Sequence, residues 1–144
     1  ELVRAGDFCK AEAPLKRCLE ICEHAMGPDS AFTFAARRRW LEWCRLSGEY
    51  APAAAYLESL SDRASDPATQ SRVGLARAAL ELDRGCAREG IRLAREAAER
   101  AQSGDARSWG LALAGLGLHC RGLDGEAVDV VAEATEAAPE AAEA

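Results

Sequence analysis

No run of apolar residues approaches the roughly 20 needed to span a bilayer, so the sequence offers no membrane-spanning segment. Aromatic residues make up only 6%, Val and Ile are few, and no stretch alternates with period two. A β-sheet built on alternating faces is therefore excluded. Cationic charge is in deficit: Lys and Arg total 18 against 24 Asp and Glu, a formal net charge of −6. Such a balance argues against nonspecific binding to nucleic acid or anionic membranes. No glycine-rich phosphate loop and no nucleophile elbow is present. What is present is 49% apolar residues and 29% charged residues over 144 positions. That is too apolar for a disordered chain and suits one domain, 1–144, with a core of its own. The sequence starts at Glu1 without Met and shows no signal peptide, and it reads as a piece of a larger cytoplasmic protein.

The six cysteines, Cys9, Cys18, Cys22, Cys44, Cys86 and Cys120, are scattered through helix-like segments. An even count invites a disulfide framework. A chain of this length rich in Leu and Ala does not need one. They are expected to be reduced, small, buried apolar side chains of a cytosolic protein.

Ala, Leu, Arg and Glu dominate, and these are strong helix formers. The all-α class follows. The breaks are regular: Gly6-Asp7-Phe8, Gly48-Glu49-Tyr50, Gly85-Cys86-Ala87 and Gly122-Leu123-Asp124 recur at intervals of 42, 37 and 37 residues. A fixed period in the range of about 20 to 50 residues marks a repeat array. A second set of breaks lies between them, at Gly27-Pro28-Asp29-Ser30, Ser65-Asp66-Pro67 and Ser103-Gly104-Asp105. Asp66 before Pro67 reads as an N-cap with proline at the first helical position. Asp29 or Ser30, and Asp105, are expected to cap in the same way. Gly27 and Gly104 suit the left-handed residue that closes a helix.

Seven helices are expected: Phe8 to Met26, Ser30 to Ser47, Ala51 to Ala64, Pro67 to Arg84, Ala87 to Ser103, Asp105 to Arg121 and Asp124 to Ala138. Glu1 to Ala5 reads as the stub of an earlier helix, and the acidic tail from Glu133 to Ala144 as a last helix fraying into solvent. The first full helix offers the stripe Ala11, Leu15, Cys18 and Cys22. Gly110, Gly115 and Gly117 share one helix, and each costs about 1 kcal/mol against alanine. Close approach of a neighbouring helix would offset that cost. The repeat units run roughly over 1–28, 29–65, 66–104 and 105–144.

These residues resemble the tetratricopeptide repeat family. The last unit supplies Leu111, Ala114, Gly115, Leu118, Gly122, Ala127, Val131 and Ala134, and the second supplies Trp40, Leu41, Cys44, Gly48, Tyr50, Ala53, Leu57 and Leu60. The first unit supplies Gly6, Phe8, Ala11, Leu15 and Cys18. The segment from Ala11 to Glu23, continuing to Gly27-Pro28-Asp29, is similar to repeats of the kinesin light chain type. The third unit departs: Ala87 stands where an aromatic is expected and Gly90 where alanine is usual. Its Leu75, Ala78, Ala79 and Leu82 fit after a one-residue shift. The resemblance implies an α-solenoid of antiparallel helical hairpins, a right-handed superhelix whose first helices line a concave face.

On that resemblance the groove positions are Arg38, Glu42 and Arg45 in the second unit. They are Val73, Leu80 and Asp83 in the third, and Trp109, Leu116 and His119 in the fourth. One subset of the family clamps a carboxyl terminus with lysine, asparagine and arginine at such places. Glu42 stands where that subset has asparagine, which argues against such a clamp. The expected function is a protein–protein interaction scaffold that takes a peptide or partner helix in the groove, held by apolar anchors and a few charges. An acidic or C-terminal segment with an apolar anchor suits Arg38, Arg45 and Trp109. The alternative is a structural or regulatory segment of a multidomain regulator that packs on its own neighbours or self-associates through the solenoid ends.

Chemistry finds little support. Cys18 and Cys22 share a helix face, but His24 is rotated away and no second pair arrives at zinc-finger spacing. His119 and Cys120 are adjacent on a helix and point about 100° apart. Arg37, Arg38, Arg39 and Arg45 with Trp40 and Trp43 look like a basic–aromatic nucleic-acid patch. On a helix, however, the three consecutive arginines spread around the circumference, and Glu42 and Glu49 dilute the field. No catalytic residue, metal or cofactor is assigned, and the chain is not expected to be an enzyme.

Overall fold

The computed structural model describes residues 8–28 and 30–137. Within them the chain forms seven α-helices and no strand. These are α1 (Phe8–Met26), α2 (Ala31–Ser47), α3 (Tyr50–Arg63), α4 (Pro67–Asp83), α5 (Ala87–Glu99), α6 (Gly104–Cys120) and α7 (Asp124–Ala137). None of the described helices is long and apolar enough to cross a membrane. Gly6, Asp29, the stub Glu1 to Ala5 and the tail beyond Ala137 lie outside the described residues.

Local chemistry explains the helix ends. Ser30 Oγ accepts the Thr33 N–H at 3.0 Å, and Asp66 Oδ1 accepts the Thr69 N–H at 2.8 Å, with Pro67 in the first turn of α4. Each side chain satisfies one of the orphan donors of a helix start. Gly48, Gly85 and Gly122 adopt φ of +79°, +80° and +72°, the left-handed geometry that a turn after a helix demands. Gly27 does the same at +82°. The 37-residue punctuation is therefore a repeated backbone conformation.

The break between α5 and α6 differs from expectation. Ser103, not Asp105, is the N-cap, its Oγ accepting the Ala106 N–H at 3.2 Å. Gly104 is then the first residue of α6 and has no left-handed φ. Helix α5 stops at Glu99, four residues early. Its last turn is tightened by an Ala101 N–H bond to the Ala98 carbonyl, and its Ala97 carbonyl accepts the buried Ser71 hydroxyl at 2.9 Å. A side chain from α4 thus satisfies a carbonyl that would otherwise be orphaned at the helix end.

The chain divides into two compact units, Glu1–Ala53 and Ala54–Ala144, with the boundary inside α3. In the first unit α1 and α2 form a hairpin. Ala11 and Leu19 are buried on α1, and Ala36, Trp40, Trp43 and Cys44 on α2. The α1 stripe is turned from the expected one: Leu15 and Cys22 are half-buried, Leu19 takes the core position and Cys18 is exposed. Leu19 buries more apolar surface than a thiol would. Thr33 is fully buried, and its hydroxyl donates to the Gly27 carbonyl at 2.6 Å, with the Cys22 carbonyl also in range at 3.0 Å. This ties the start of α2 to the end of α1.

In the second unit α4, α5, α6 and α7 pack in succession, each on the next. One cluster gathers Leu75 and Ala78 of α4, Ile91, Leu93, Ala94 and Ala97 of α5, Leu113, Ala114 and Leu118 of α6, and Ala127 of α7. Glycines set the spacing. A Cβ on Gly110 would lie 2.8 Å from Ala98 Cβ and 2.9 Å from the Ala94 carbonyl oxygen. One on Gly117 would lie 2.6 Å from Ile91 Cγ1, and one on Gly115 2.7 Å from Val131 Cγ2. Gly110 and Gly117 open α6 toward α5, and Gly115 opens it toward α7. The propensity cost of these glycines is offset by contacts that a side chain would forbid. Gly90, an irregularity in the sequence, has the same origin: its Cβ would lie 2.7 Å from Leu82 Cγ.

Candidate functional site

The nine candidate groove residues fall on α2, α4 and α6. On α2, Arg38, Glu42 and Arg45 are all exposed. Arg38 and Arg45 are seven residues apart, two turns along one face. Glu42 pairs with Arg39 at 3.7 Å. Arg37 turns the other way, half-buried, donating to the Pro28 carbonyl at 3.2 Å and lying 3.8 Å from Glu23. Trp40 and Trp43 are buried, so the arginines and the two tryptophans do not share a surface.

On α4 the expectation fails at two of three positions. Val73 is 6% exposed and Leu80 2%, and both belong to the core; Asp83 is exposed. The cause is the width of the apolar arc. Ser71, Leu75 and Ala78 form one buried stripe, and Val73 and Leu80 fall on the opposite side of the same helix. A helix covered on two sides has no apolar groove face to offer at those positions.

The corresponding positions on α6 are open. Trp109 is 59% exposed and Leu116 50% exposed. They are seven residues apart, next to Leu113, which faces the core. Apart from Leu113, the buried residues of α6, from Gly110 to Leu118, occupy the rest of its circumference. His119 is also exposed, and its Nδ1 lies 2.7 Å from Asp124 Oδ1 at the start of α7. That pairing, rather than any contact with Cys120, is what the turn Gly122-Leu123-Asp124 produces. The exposed apolar part of the candidate surface is thus the Trp109–Leu116 face of α6.

Cys18, Cys22, Cys44, Cys86 and Cys120 are free thiols. Contrary to expectation, only Cys44 among them is buried. Cys18 lies on the outer side of α1, Cys86 precedes α5 without a side-chain capping bond and Cys120 ends α6, places where the chain meets water. The side chain of Cys9 lies outside the described residues. Burial pushes the Cys44 thiol up to about 11, and burial followed by the neighbouring Cys18 thiol pushes Cys22 up. Neither becomes a readier nucleophile, because the thiolate is the reactive form. Among the described residues no group of three or more His, Cys, Asp or Glu side chains is placed to hold a metal ion.

No family model matches this chain, and no curated protein or solved structure matches it.

Proposed function

We propose that the chain is a protein–protein interaction scaffold whose α6 face receives a peptide or a partner helix. One observation carries this reading: Trp109 and Leu116, two large apolar side chains, stand half or more exposed on a single helix face. They do so in a unit that otherwise buries leucines and alanines efficiently. Exposed tryptophan is among the most frequent energetic anchors of interfaces. A helix face with anchors at i and i+7 fits an amphipathic helix or an extended segment with apolar residues. The succession of helices packed each on the next supports the same reading, as does the recurring left-handed turn glycine. The reading assigns the chain no reaction and no cofactor, and it places the protein in the cytoplasm, where free thiols persist.

The tryptophans make the test direct. Trp40 and Trp43 are buried and Trp109 is not, so docking on α6 changes the environment of the exposed indole. The chain is titrated with a panel of peptides carrying an apolar anchor and acidic flanks, some ending in a free carboxylate. The expected result is a blue-shifted, quencher-protected emission, with Leu116→Asp weakening binding at least tenfold. Binding that leaves Trp109 accessible and is indifferent to Leu116→Asp would place the interaction elsewhere.

A further inference from the structure

Gly85 and Gly122 stand 37 residues apart in the same left-handed conformation, and this offset lays α7 on α5 residue by residue. Gly90, Leu93 and Ala97 of α5 correspond to Ala127, Val130 and Ala134 of α7. All six turn toward the preceding helix: five are buried, and Val130 is half-buried against the core. The next stripe of α5, Ile91, Ala94 and Ala98, is buried as well. It is buried because α6 lies on it with Gly110 over Ala94 and Ala98 and Gly117 over Ile91. The matching stripe of α7 is Val128, Val131 and Thr135. Val128 is 67% exposed and Thr135 is exposed too, while Val131, 45% exposed, lies at the edge of the stripe with its Cγ2 against Gly115 of α6. Ala132, between them, is open.

The α5–α6 packing therefore supplies a template for what covers α7. We propose that the outer stripe of α7 docks one α-helix of a partner protein, carrying small residues seven positions apart as α6 carries Gly110 and Gly117. The spacing matters because only small residues let a second helix settle onto Val128 and Thr135 at the distance α6 keeps from α5. Charge adds a second requirement. Helix α7 carries Asp124, Glu126, Asp129, Glu133 and Glu136 and no Lys or Arg. Glu133 is already engaged by Arg107 at 3.1 Å. The partner helix is basic along its flanks, which places its cations against Asp129 and Glu136. This surface is separate from the Trp109–Leu116 face and does not depend on it.

The probe is a synthetic peptide covering residues 103–121 of this chain, with Cys120→Ser to prevent oxidation. Titrated to millimolar concentration into the ¹⁵N-labelled 144-residue chain, it should shift the amides of Val128, Ala132 and Thr135 in a saturable way. Val128→Glu in the chain should weaken binding at least tenfold, and Thr135→Arg should do the same independently. Both sites are exposed, and circular dichroism verifies that each variant stays folded. A peptide carrying Gly110→Leu and Gly117→Leu should bind at least tenfold more weakly. The proposal is overturned if the peptide shifts no α7 amide, if both chain variants bind it as well as the parent, or if the leucine peptide binds equally. It is also overturned if the chain alone dimerises through α7, since a second copy would then be the occupant.

Discussion

In the α1–α2 hairpin the buried positions of α2 go to Trp40, Trp43 and Cys44, with Thr33 hydrogen-bonded beneath them. In the α4–α7 array the buried positions go to Ala, Gly and Leu, and the array's tryptophan, Trp109, stays outside. Large side chains hold two helices apart and fill the space between them. Small ones let helices approach until backbone meets side chain, as Gly110 does with the Ala94 carbonyl. The hairpin is thus sensitive to losing volume and the array to gaining it. Exposed aromatic rings occur in both units, Phe32 and Phe34 on α2 and Trp109 on α6, so the contrast concerns the cores and not the surfaces.

The largest effect is expected in the hairpin. Trp43→Ala should lower stability by about 3–5 kcal/mol, read from the urea midpoint. An equal cost from Trp109→Ala would erase the distinction between buried and exposed indoles; the expectation there is within about 0.5 kcal/mol. In the array, Gly117→Leu should cost about 1–3 kcal/mol, because Ile91 and Leu82 occupy the space a side chain would need. Next comes Ser71→Ala, at about 1–2 kcal/mol, since it removes the donor to the Ala97 carbonyl in a buried site. Hydrogen exchange near residues 97–101 should rise in that variant, and an unchanged rate would show that α5 ends without help from α4.

The smallest effect is a pH dependence. Hydrogen bonds from Thr69 hold the Asp66 carboxyl below its usual value. A lowered folded pKa gives stability that is fully present above the ordinary carboxylate pKa and is lost as pH falls through the folded value. The melting temperature should therefore decline on acidification below the usual carboxylate range. Asp66→Asn should flatten that part of the decline, and an unchanged acid limb would remove Asp66 from the account.

The helices were legible in the sequence because helix formers and turn glycines agree, and three glycines of the period share one left-handed φ. Helix ends were less so. Ser103 and Asp105 both carry a capping oxygen, and which one caps depends on where α5 stops. That in turn depends on Ser71, 26 residues away. The buried stripe of α1 takes Leu19 in place of Cys18, two adjacent apolar residues that spacing alone does not separate. Val73 and Leu80 show the larger limit. Periodicity identifies a stripe on α4 but not whether a second side of the helix is also covered. Trp109 and Leu116 occupy the matching places on α6 and are exposed, a difference made by packing and invisible in the spacing.

Glycine spacing carries the account of the second unit, and two single-methyl additions test it. Gly110 and Gly125 are both helical, and alanine is favoured over glycine in a helix by about 0.5–1 kcal/mol when nothing else changes. A Cβ at Gly125 meets nothing within 4 Å, while one at Gly110 meets Ala98 Cβ at 2.8 Å and the Ala94 carbonyl oxygen at 2.9 Å. Measured side by side by urea denaturation, Gly125→Ala should raise the midpoint and Gly110→Ala should lower it. A rise in both would contradict the close approach of α6 to α5.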